Sequence, residues 1–226
     1  MHEATIEELV ARFIKPDSVV ALGTSHLAEL FLKKLAFKVF ENNERIQFVP
    51  TSMHLAALAS ELHIPITSID AHEIDVAIEF VDQVDFDYNF LKSETHSLIR
   101  DKMIAQSAAE LIVITEKKNL VSKLSGLVSF EIASFGAKRT VTELGKFGKT
   151  ELKKENGHDF KTESGNLLAL THFDEVYSPE DIEYQAKQIP GVIETGIFIG
   201  YADRMILYNP GLEAKSRIQA PAAKAL

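Results

Sequence analysis

The chain has 226 residues, 46% hydrophobic and 25% charged, which is ordinary for a globular protein with one large domain or one domain carrying a smaller insert. Its formal net charge of −9 argues against a nucleic-acid-binding surface, because such surfaces are basic. The absence of cysteine excludes disulfide bonds, thiolate catalysis and cysteine-bound zinc, and it fits a cytoplasmic protein.

The first half of the chain alternates predicted helices with predicted strands. Apolar residues at helical spacing indicate an amphipathic helix over about 3–14, and the acidity of this segment distinguishes it from a signal peptide. No apolar run approaches the roughly 20 residues of a membrane-spanning helix. The alternation is typical of βαβ units and therefore of a parallel sheet. The predicted strands are 18–22, 46–49, 64–69, 76–80 and 111–115, and the predicted helices are 27–37, 53–62 and 97–109.

From about residue 128 the pattern of predicted elements changes. The Asn156-Gly157 pair is a strong hairpin signal, and Ser178 followed by Pro179 is typical of a helix start. The resulting β-α-β-β-α-β order indicates a small ferredoxin-like unit inserted before the chain rejoins the first sheet. Its predicted strands are 128–132, 150–154, 166–171 and 191–199, its predicted helices are 137–147 and 179–188, and 204–207 is the predicted last strand of the main sheet.

The sequence therefore predicts an α/β fold in which a doubly wound, Rossmann-like main domain carries an inserted ferredoxin-like α+β domain. We place the domain boundaries where the βαβ pattern gives way to the hairpin-containing pattern and where it returns. This assigns residues 1–127 and 199–226 to the main domain and residues 128–198 to the small domain.

Residues 78–102 contain the densest grouping of side chains suited to proton transfer. A predicted strand ends in carboxylates, an acidic loop with Asp82, Asp85 and Asp87 follows, and Lys92 precedes a predicted helix. Acids at the carboxyl end of a strand, next to a lysine and a helix start, are the components of a proton-transfer site in an open α/β sheet. The simpler interpretation is a solvated acidic loop that only connects a strand to a helix.

This stretch resembles ribose-5-phosphate isomerase of the A type. That family carries the motifs I-D-G-A-D-E-V-D, I-K-G-G-G-G-A and L-x-R-E-K in this order. The matching residues here are Ile78, Glu79, Asp82, Val84, Asp85, Lys92, Arg100, Asp101 and Lys102. Further matches to the family follow in order over most of the chain, at 21–27, 51–65, 111–121, 129–132, 162–166 and 189–198.

The resemblance implies an aldose–ketose isomerase of the pentose phosphate pathway, which interconverts ribose 5-phosphate and ribulose 5-phosphate through an enediolate. In such a reaction a carboxylate carries a proton between C1 and C2, and the matching residue is Asp101. Lys92 would stabilise the oxyanion, while Asp82 and Glu79 would assist ring opening and hold hydroxyl groups. We expect Asp82, Lys92 and Asp101 to converge on one cleft at the carboxyl edge of the main sheet. The resemblance further implies no cofactor and no metal, a sugar phosphate as small-molecule partner, and a homodimer or homotetramer.

Two turns would bind the substrate, and both depart from the family pattern. In the turn at 23–26, which matches G-L-G-T-G-S-T, only Thr24 remains as a matching hydroxyl, and in the turn at 93–96 the glycine run is lost. Asp101 is also one methylene shorter than the glutamate of R-E-K. Because side chains crowd backbone amides that glycine leaves open, we predict weak phosphate affinity. The substrate-binding candidates are Gly23, Thr24, Ser25, His26, Glu79, Ser93, Glu94, Thr95 and His96.

The altered turns leave a second class of function open, namely a non-catalytic relative that binds a sugar phosphate or another ligand, or that serves as a partner subunit. His26, His54 and His96 occupy substituted turn positions, where they could replace lost phosphate contacts or bind a metal if the turns meet. The simpler interpretation is three unrelated surface histidines, and we predict no metal site.

Overall fold

The computed structural model describes residue 1 and residues 3–217 and shows an α/β protein built on several β-sheets. The helices in this part of the chain are α1 (Glu3–Phe13), α2 (His26–Asn42), α3 (Met53–Glu61), α4 (Leu98–Ser107), α5 (Ala137–Leu144) and α6 (Pro179–Lys187). The strands are β1 (Val19–Leu22), β2 (Gln47–Pro50), β3 (Ile74–Phe80), β4 (Gln83–Asp85), β5 (Phe90–Leu91), β6 (Ala108–Glu116), β7 (Leu120–Val121), β8 (Gly126–Ile132), β9 (Thr150–Leu152), β10 (Lys154–Glu155), β11 (His158–Asp159), β12 (Leu167–Phe173), β13 (Val192–Thr195), β14 (Ile197–Phe198), β15 (Arg204–Tyr208) and β16 (Leu212–Ser216). In this described part, no helix is long and apolar enough to span a membrane.

The main sheet has the strand order β16-β15-β6-β3-β1-β2, and its neighbouring strands are parallel except for the β15–β16 hairpin at one edge. The chain adds β2 on one side of β1 and then β3 on the other side. This reversal makes the sheet doubly wound, and ligands of such sheets bind beyond the carboxyl ends of the strands at the reversal point. The predicted doubly wound, Rossmann-like main sheet is confirmed.

Helices cover both faces of the main sheet because its strands are apolar on both sides. On one face α1, α2 and α3 pack through buried side chains such as Leu9, Phe31 and Leu55. On the other face α4 packs through Leu98 and Ile104. Burial of one such side chain contributes about 1.5–3 kcal/mol, so the two layers together fix the strand ends and helix starts at the reversal point.

The second unit is an antiparallel sheet with the strand order β13-β8-β12-β9. Along the chain its elements run β8-α5-β9-β12-α6-β13, with the small hairpin β10–β11 between β9 and β12. This is the predicted ferredoxin-like α+β arrangement, which is confirmed. The assignment of 1–127 with 199–226 to one domain and 128–198 to the other stays a prediction, and its residues 218–226 lie outside the described residues.

The single strand predicted over 191–199 is wrong, because the chain changes sheets at Gly196. Strand β13 belongs to the antiparallel sheet, whereas β14 joins a third sheet of order β14-β5-β4-β7. A Cβ at Gly196 would lie 2.5 Å from Ser129 Oγ and 2.6 Å from the Lys92 carbonyl oxygen. Glycine therefore permits the close backbone approach at which the strand divides.

Other predicted elements differ from the structure in their bounds. The strand predicted over 64–69 is wrong, since only an isolated bridge joins Ile66 to Phe48, and Pro65 lacks the N–H that a longer ladder needs. The helix predicted over 97–109 ends at Ser107, because Ala108 already pairs with Ile74 in the main sheet. The third sheet and the edge strand β16 were not predicted, and both are made of short or partly exposed segments.

Candidate active site

Three charged side chains meet in a closed cluster at the carboxyl edge of the main sheet. Glu79 comes from the end of β3, Lys92 follows β5, and Asp101 lies in the first turn of α4. Lys92 Nζ donates a hydrogen bond to Glu79 Oε2 and lies 3.2 Å from Asp101 Oδ2. Thr95 Oγ1 donates to the same Asp101 oxygen atom at 2.5 Å. All four residues are at most 1% exposed, so the cluster is closed to solvent.

The backbone that carries these side chains is fixed by local interactions. Ser97 begins α4 as its N-cap, and its hydroxyl accepts a hydrogen bond from the Arg100 N–H at 3.4 Å. Asp101 stands in the first helical turn, where the helix dipole favours a negative charge. The backbone N–H of Lys92 donates to the Gly196 carbonyl at 3.0 Å, and Ser129 Oγ donates to the Lys92 carbonyl at 2.7 Å. Both backbone polar groups of Lys92 are thus hydrogen-bonded, which fixes the backbone on either side of its side chain.

Gly23, directly after β1, is required by the packing of Glu79. Its N–H donates to the Ile78 carbonyl at 3.0 Å, which ties the turn to the neighbouring strand. A Cβ at Gly23 would lie 1.7 Å from Glu79 Oε2, well inside contact distance. Only glycine therefore allows the first turn to lie against the carboxylate at the reversal point of the sheet.

The cluster holds two acids and one base, and burial makes this imbalance costly. Burial raises the pKa of Glu79 to about 7; the neighbouring Asp101 charge acts in the same direction, and Lys92 opposes it. Burial works to lower the pKa of Lys92, but the Asp101 and Glu79 carboxylates outweigh it, so the pKa is raised. A proton on Glu79 leaves one ammonium and one carboxylate and makes the cluster neutral. Glu79 can therefore gain or lose a proton near neutral pH.

Two buried carboxylate oxygen atoms of the cluster have no hydrogen-bond partner among residues 1 and 3–217. They are Glu79 Oε1 and Asp101 Oδ1, one from each acid. Buried polar atoms are nearly always hydrogen-bonded, so such exceptions mark positions with another role. Each oxygen atom is available to accept a proton or a hydrogen bond from a bound molecule.

Most polar groups of the first turn, 23–26, form hydrogen bonds with other groups of the protein. Thr24 Oγ1 lies 3.0 Å from Thr51 Oγ1, which in turn donates to the Leu22 carbonyl at 2.8 Å. Ser25 is the N-cap of α2 and accepts from the Ala28 N–H at 3.0 Å. The N–H of His26 donates to Glu94 Oε1 at 3.0 Å. The start of α2 is therefore contacted by a carboxylate from the second turn.

The second turn, 93–96, contacts the cluster and also forms hydrogen bonds with neighbouring segments of the chain. The Ser93 N–H donates to Asp82 Oδ2 at 2.6 Å, Thr95 contacts Asp101, and the His96 carbonyl accepts from the Glu163 N–H at 2.9 Å. Asp82 is exposed and contacts this turn rather than the charged cluster. The structure therefore brings Glu79, Lys92, Asp101 and Thr95 together and places Asp82 at the outer side of the turn.

The other acids of the predicted loop have separate surroundings. Asp85 is buried in β4, and its Oδ1 accepts from the N–H groups of Asp87 and Asn89, both at 2.9 Å. Such bonds close a tight turn, which is the simpler structural interpretation for this residue. Asp87 is exposed at the tip of that turn. Neither side chain reaches the cluster through a hydrogen bond or ion pair of the described chain.

The three histidines at substituted turn positions pair with different groups. His54 Nε2 lies 3.1 Å from Glu29 Oε1, whereas His96 Nδ1 lies 4.0 Å from Glu163 Oε1. The His26 side chain is exposed. Within residues 1 and 3–217, no three His, Asp or Glu side chains are grouped to hold a metal ion.

Two acids of the small unit also belong to the surroundings of the site, although the sequence motifs assigned them no role there. Glu131 is fully buried and accepts from Ser97 Oγ and the Ile99 N–H, both at 3.2 Å, at the start of α4. Glu163 Oε1 accepts from the Met53 N–H at 3.0 Å, at the start of α3. The one available signal was an acid inside each of two family-like segments, 129–132 and 162–166.

A doubly wound sheet with a buried acid–lysine–acid cluster at its reversal point defines an α/β protein equipped for proton transfer. The sequence profile of the family ribose 5-phosphate isomerase A (phosphoriboisomerase A) matches residues 47–211, and the chain belongs to this family. It is 33% identical over 204 residues to ribose-5-phosphate isomerase A of Bacillus mycoides, covering 88% of this chain and 92% of that one. It is 35% identical over 203 residues to that of Pyrococcus horikoshii, covering 87% and 89%.

Solved structures give the same result. A D-ribose-5-phosphate isomerase in complex with phospho-erythronic acid superposes with a TM-score of 0.87 at 33% identity, covering 95% of this chain and 97% of that one. The ribose 5-phosphate isomerase of Plasmodium falciparum superposes with a TM-score of 0.89 at 22% identity, covering 96% and 98%, and shares the fold. The resemblance identified from the sequence motifs is thereby confirmed.

Proposed function

We propose that this chain catalyses the interconversion of ribose 5-phosphate and ribulose 5-phosphate. The observation that carries the proposal is the closed Glu79–Lys92–Asp101 cluster in a chain of this family. The reaction moves one proton between neighbouring carbon atoms, and a buried acid–base cluster provides the groups for that transfer without a cofactor.

In the proposed reaction, Asp101 accepts the proton from C2 of the open-chain aldose through its unpartnered Oδ1. The electron pair of the C–H bond forms the C1–C2 double bond, and negative charge develops on O1. Glu79 is proposed to carry the hydroxyl proton of O2 to O1, and return of the first proton to C1 then gives the ketose, so that atoms and charges balance without any other reactant. Lys92, which already contacts both carboxylates, stabilises the enediolate charge.

Glu79 and Asp82 complete the proposed set of site residues. With its pKa raised to about 7 by burial, Glu79 can exchange a proton with a substrate hydroxyl near neutral pH. Asp82 holds the second turn through Ser93 and stands where it can meet a sugar hydroxyl once that turn moves. The groups proposed to contact the substrate are those of the two turns, with Glu94 acting against its phosphate group: Gly23, Thr24, Ser25, His26, Ser93, Glu94, Thr95 and His96.

We further propose a homodimer or homotetramer and a cytoplasmic location. The family resemblance supports the assembly, and a chain without cysteine suits a reducing compartment. We also propose that phosphate affinity is weak, because the Glu94 carboxylate already contacts the start of α2.

The test of the proposed function is formation of ribulose 5-phosphate by the purified protein, with binding of ribose 5-phosphate measured beside it by calorimetry. We expect turnover together with weak binding. Binding without turnover would favour the non-catalytic relative as the correct interpretation. Neither binding nor turnover would contradict the proposed substrate.

A further inference from the structure

The start of α2 is contacted by a negative charge that belongs to the protein itself. Glu94 Oε1 accepts a hydrogen bond from the His26 N–H at 3.0 Å, and His26 is the first residue of this 17-residue helix. The N-terminus of a long helix carries partial positive charge and free N–H groups, and it attracts anions such as phosphate and carboxylate. The Glu94 carboxylate therefore lies where an anionic group of a ligand would be most favourably placed.

The same turn contacts the charged cluster through Thr95. Thr95, the next residue, is fully buried, and its hydroxyl donates a hydrogen bond to Asp101. The carbonyl of His96 accepts a hydrogen bond from the Glu163 N–H. Glu79, Lys92 and Asp101 are at most 1% exposed beneath this turn. A ligand of Asp101 would therefore replace or displace the Thr95 hydroxyl of this turn.

A second observation points to a ligand at this place. Glu79 Oε1 is fully buried without a hydrogen-bond partner among the described residues, and it lies against the backbone of the turn that leads into α2. An ideal Cβ on Gly23 would be 2.3 Å from this oxygen atom, which shows how closely the two meet. A ligand with its anionic end at α2 would present its hydroxyl groups beside an acceptor that needs a donor.

We propose that Glu94 is a specificity-determining latch: it competes with the phosphate group of the substrate for the start of α2, and its displacement lets residues 93–96 open over the cluster. This proposal rests on the proposed function, whose substrate is a phosphorylated sugar. A closed form that must first open lowers the apparent affinity by the fraction of molecules that are open. The latch therefore weakens binding of phosphorylated ligands and leaves the chemical step to the buried cluster.

The test compares two glutamate-to-glutamine variants of equal charge. Glu94→Gln removes the charge at α2 and keeps the length of the side chain. Glu61→Gln removes the same charge from an exposed position at the end of α3, and so controls for the change in net charge. Inorganic phosphate is titrated into the parent and both variants by calorimetry at low ionic strength, and thermal unfolding verifies that all three are folded.

We expect Glu94→Gln to bind inorganic phosphate at least threefold more tightly than the parent, in line with the ~2- to 30-fold range of helix-terminus charge effects. Glu61→Gln should stay within about twofold of the parent, because its charge is not at a helix start that faces the site. For ribose 5-phosphate, KM should fall in Glu94→Gln by a factor similar to that for phosphate binding, with kcat changed less than KM. Equal, weaker or undetectable phosphate binding in Glu94→Gln would overturn the latch.

The phosphate titration needs no turnover, so the two proposals fail separately. If Glu94→Gln binds phosphate more tightly and no protein forms ribulose 5-phosphate, the isomerase proposal is wrong and the latch stands. If all proteins form ribulose 5-phosphate but Glu94→Gln binds phosphate no better than the parent, the latch is wrong and the isomerase proposal stands.

Discussion

At the scale of single residues, the site is a problem of charge balance. Glu79, Lys92 and Asp101 bring two acids and one base into a volume closed to water, where an uncompensated charge is costly. One additional proton neutralises the group, and burial raises the pKa of Glu79 to about 7, so Glu79 can hold that proton. The site is therefore poised to move a proton without a net change of buried charge.

The proton-carrying role of Asp101 can be tested by replacing its carboxylate with an amide. Asp101→Asn keeps the shape of the side chain but cannot accept the C–H proton, so we expect turnover to fall about 10²- to 10⁴-fold. The measurement is the initial rate of ribulose 5-phosphate formation, with ribose 5-phosphate binding measured in parallel. The control is Asp101→Glu, which restores an acid with longer reach and should turn over at least tenfold faster than Asp101→Asn. Parental turnover in Asp101→Asn would show that another group carries the proton.

The raised pKa of Glu79 predicts a specific pH dependence of stability. The ordinary pKa of 4.5 becomes about 7 in the folded protein, so between these values the folded state binds more protons than the unfolded state. The free energy of unfolding must therefore fall as pH rises through this window, by roughly 3 kcal/mol from this residue alone. Glu79→Gln removes the titration, and urea unfolding at pH 5 and pH 7.5 should show a smaller loss of stability than in the parent. The same loss in both proteins would contradict the assignment.

The sequence could predict the grouping of Glu79, Lys92 and Asp101 only in part. All three follow strand ends or begin a helix, and such positions meet at one edge of a doubly wound sheet. The contact between Glu94 and the His26 N–H could not be foreseen, because it joins two turns that are 68 positions apart and depends on a side-chain conformation. No local pattern in either turn carries that information.

At the scale of secondary-structure elements, helix α4 is held at its start by the small unit. The Glu131 carboxylate, on β8, accepts four hydrogen bonds: from Ser97 Oγ and the Ile99 N–H at the helix, and from Thr162 Oγ1 and Asn166 Nδ2 of the small unit. Asp101 follows within the same helical turn. Glu131 thus fixes the start of the helix that carries Asp101, the proposed proton carrier.

Loss of the Glu131 charge should therefore destabilise the protein and disturb the site. Glu131→Gln weakens four bonds and turns one acceptor atom into a donor, so we expect the free energy of unfolding to fall by about 1–3 kcal/mol. The matched control is Glu151→Gln, on the exposed side of β9 in the same sheet, which should change stability by less than about 0.5 kcal/mol. Urea unfolding measures both, and equal stability of the two variants would contradict the role given to Glu131.

The prediction of helices and strands succeeded where local sequence signals were strong. It was wrong where tertiary contacts determine the bounds of an element. Ser178 and Pro179 correctly indicated the start of α6, since an N-cap and a first-turn proline act within one helical turn. The division of the strand at Gly196 depends instead on the approach of Ser129 and Lys92, which the neighbouring sequence does not encode. The short strands of the third sheet were missed for the same reason.

At the scale of the whole molecule, the two units share the site instead of merely adjoining it. The main sheet supplies the reversal point and Glu79, whereas the small unit bonds the Lys92 backbone, the start of α4 through Glu131, and the second turn through Glu163. The small unit with the predicted β-α-β-β-α-β order therefore contributes directly to the site. The chain leaves the main sheet after β6, builds the small unit from β8 to β13, and returns to the main sheet at β15.

The proposed oligomer belongs to this scale, and the surface of the small unit suggests how it forms. Large apolar side chains there are solvent-exposed in the single chain, with Phe135 at 95% and Tyr184 at 67%. We expect light scattering at micromolar concentration to report a particle of at least twice the 25.1 kDa chain mass.

Phe135→Ser should weaken association by about tenfold or more, because burial of such a side chain contributes about 1.5–3 kcal/mol. Phe40→Ser, on α2 of the main unit with a similarly exposed ring, is the control and should leave the particle mass unchanged. A particle of one chain mass in the parent would end the proposal, and an unchanged assembly in Phe135→Ser would place the interface elsewhere.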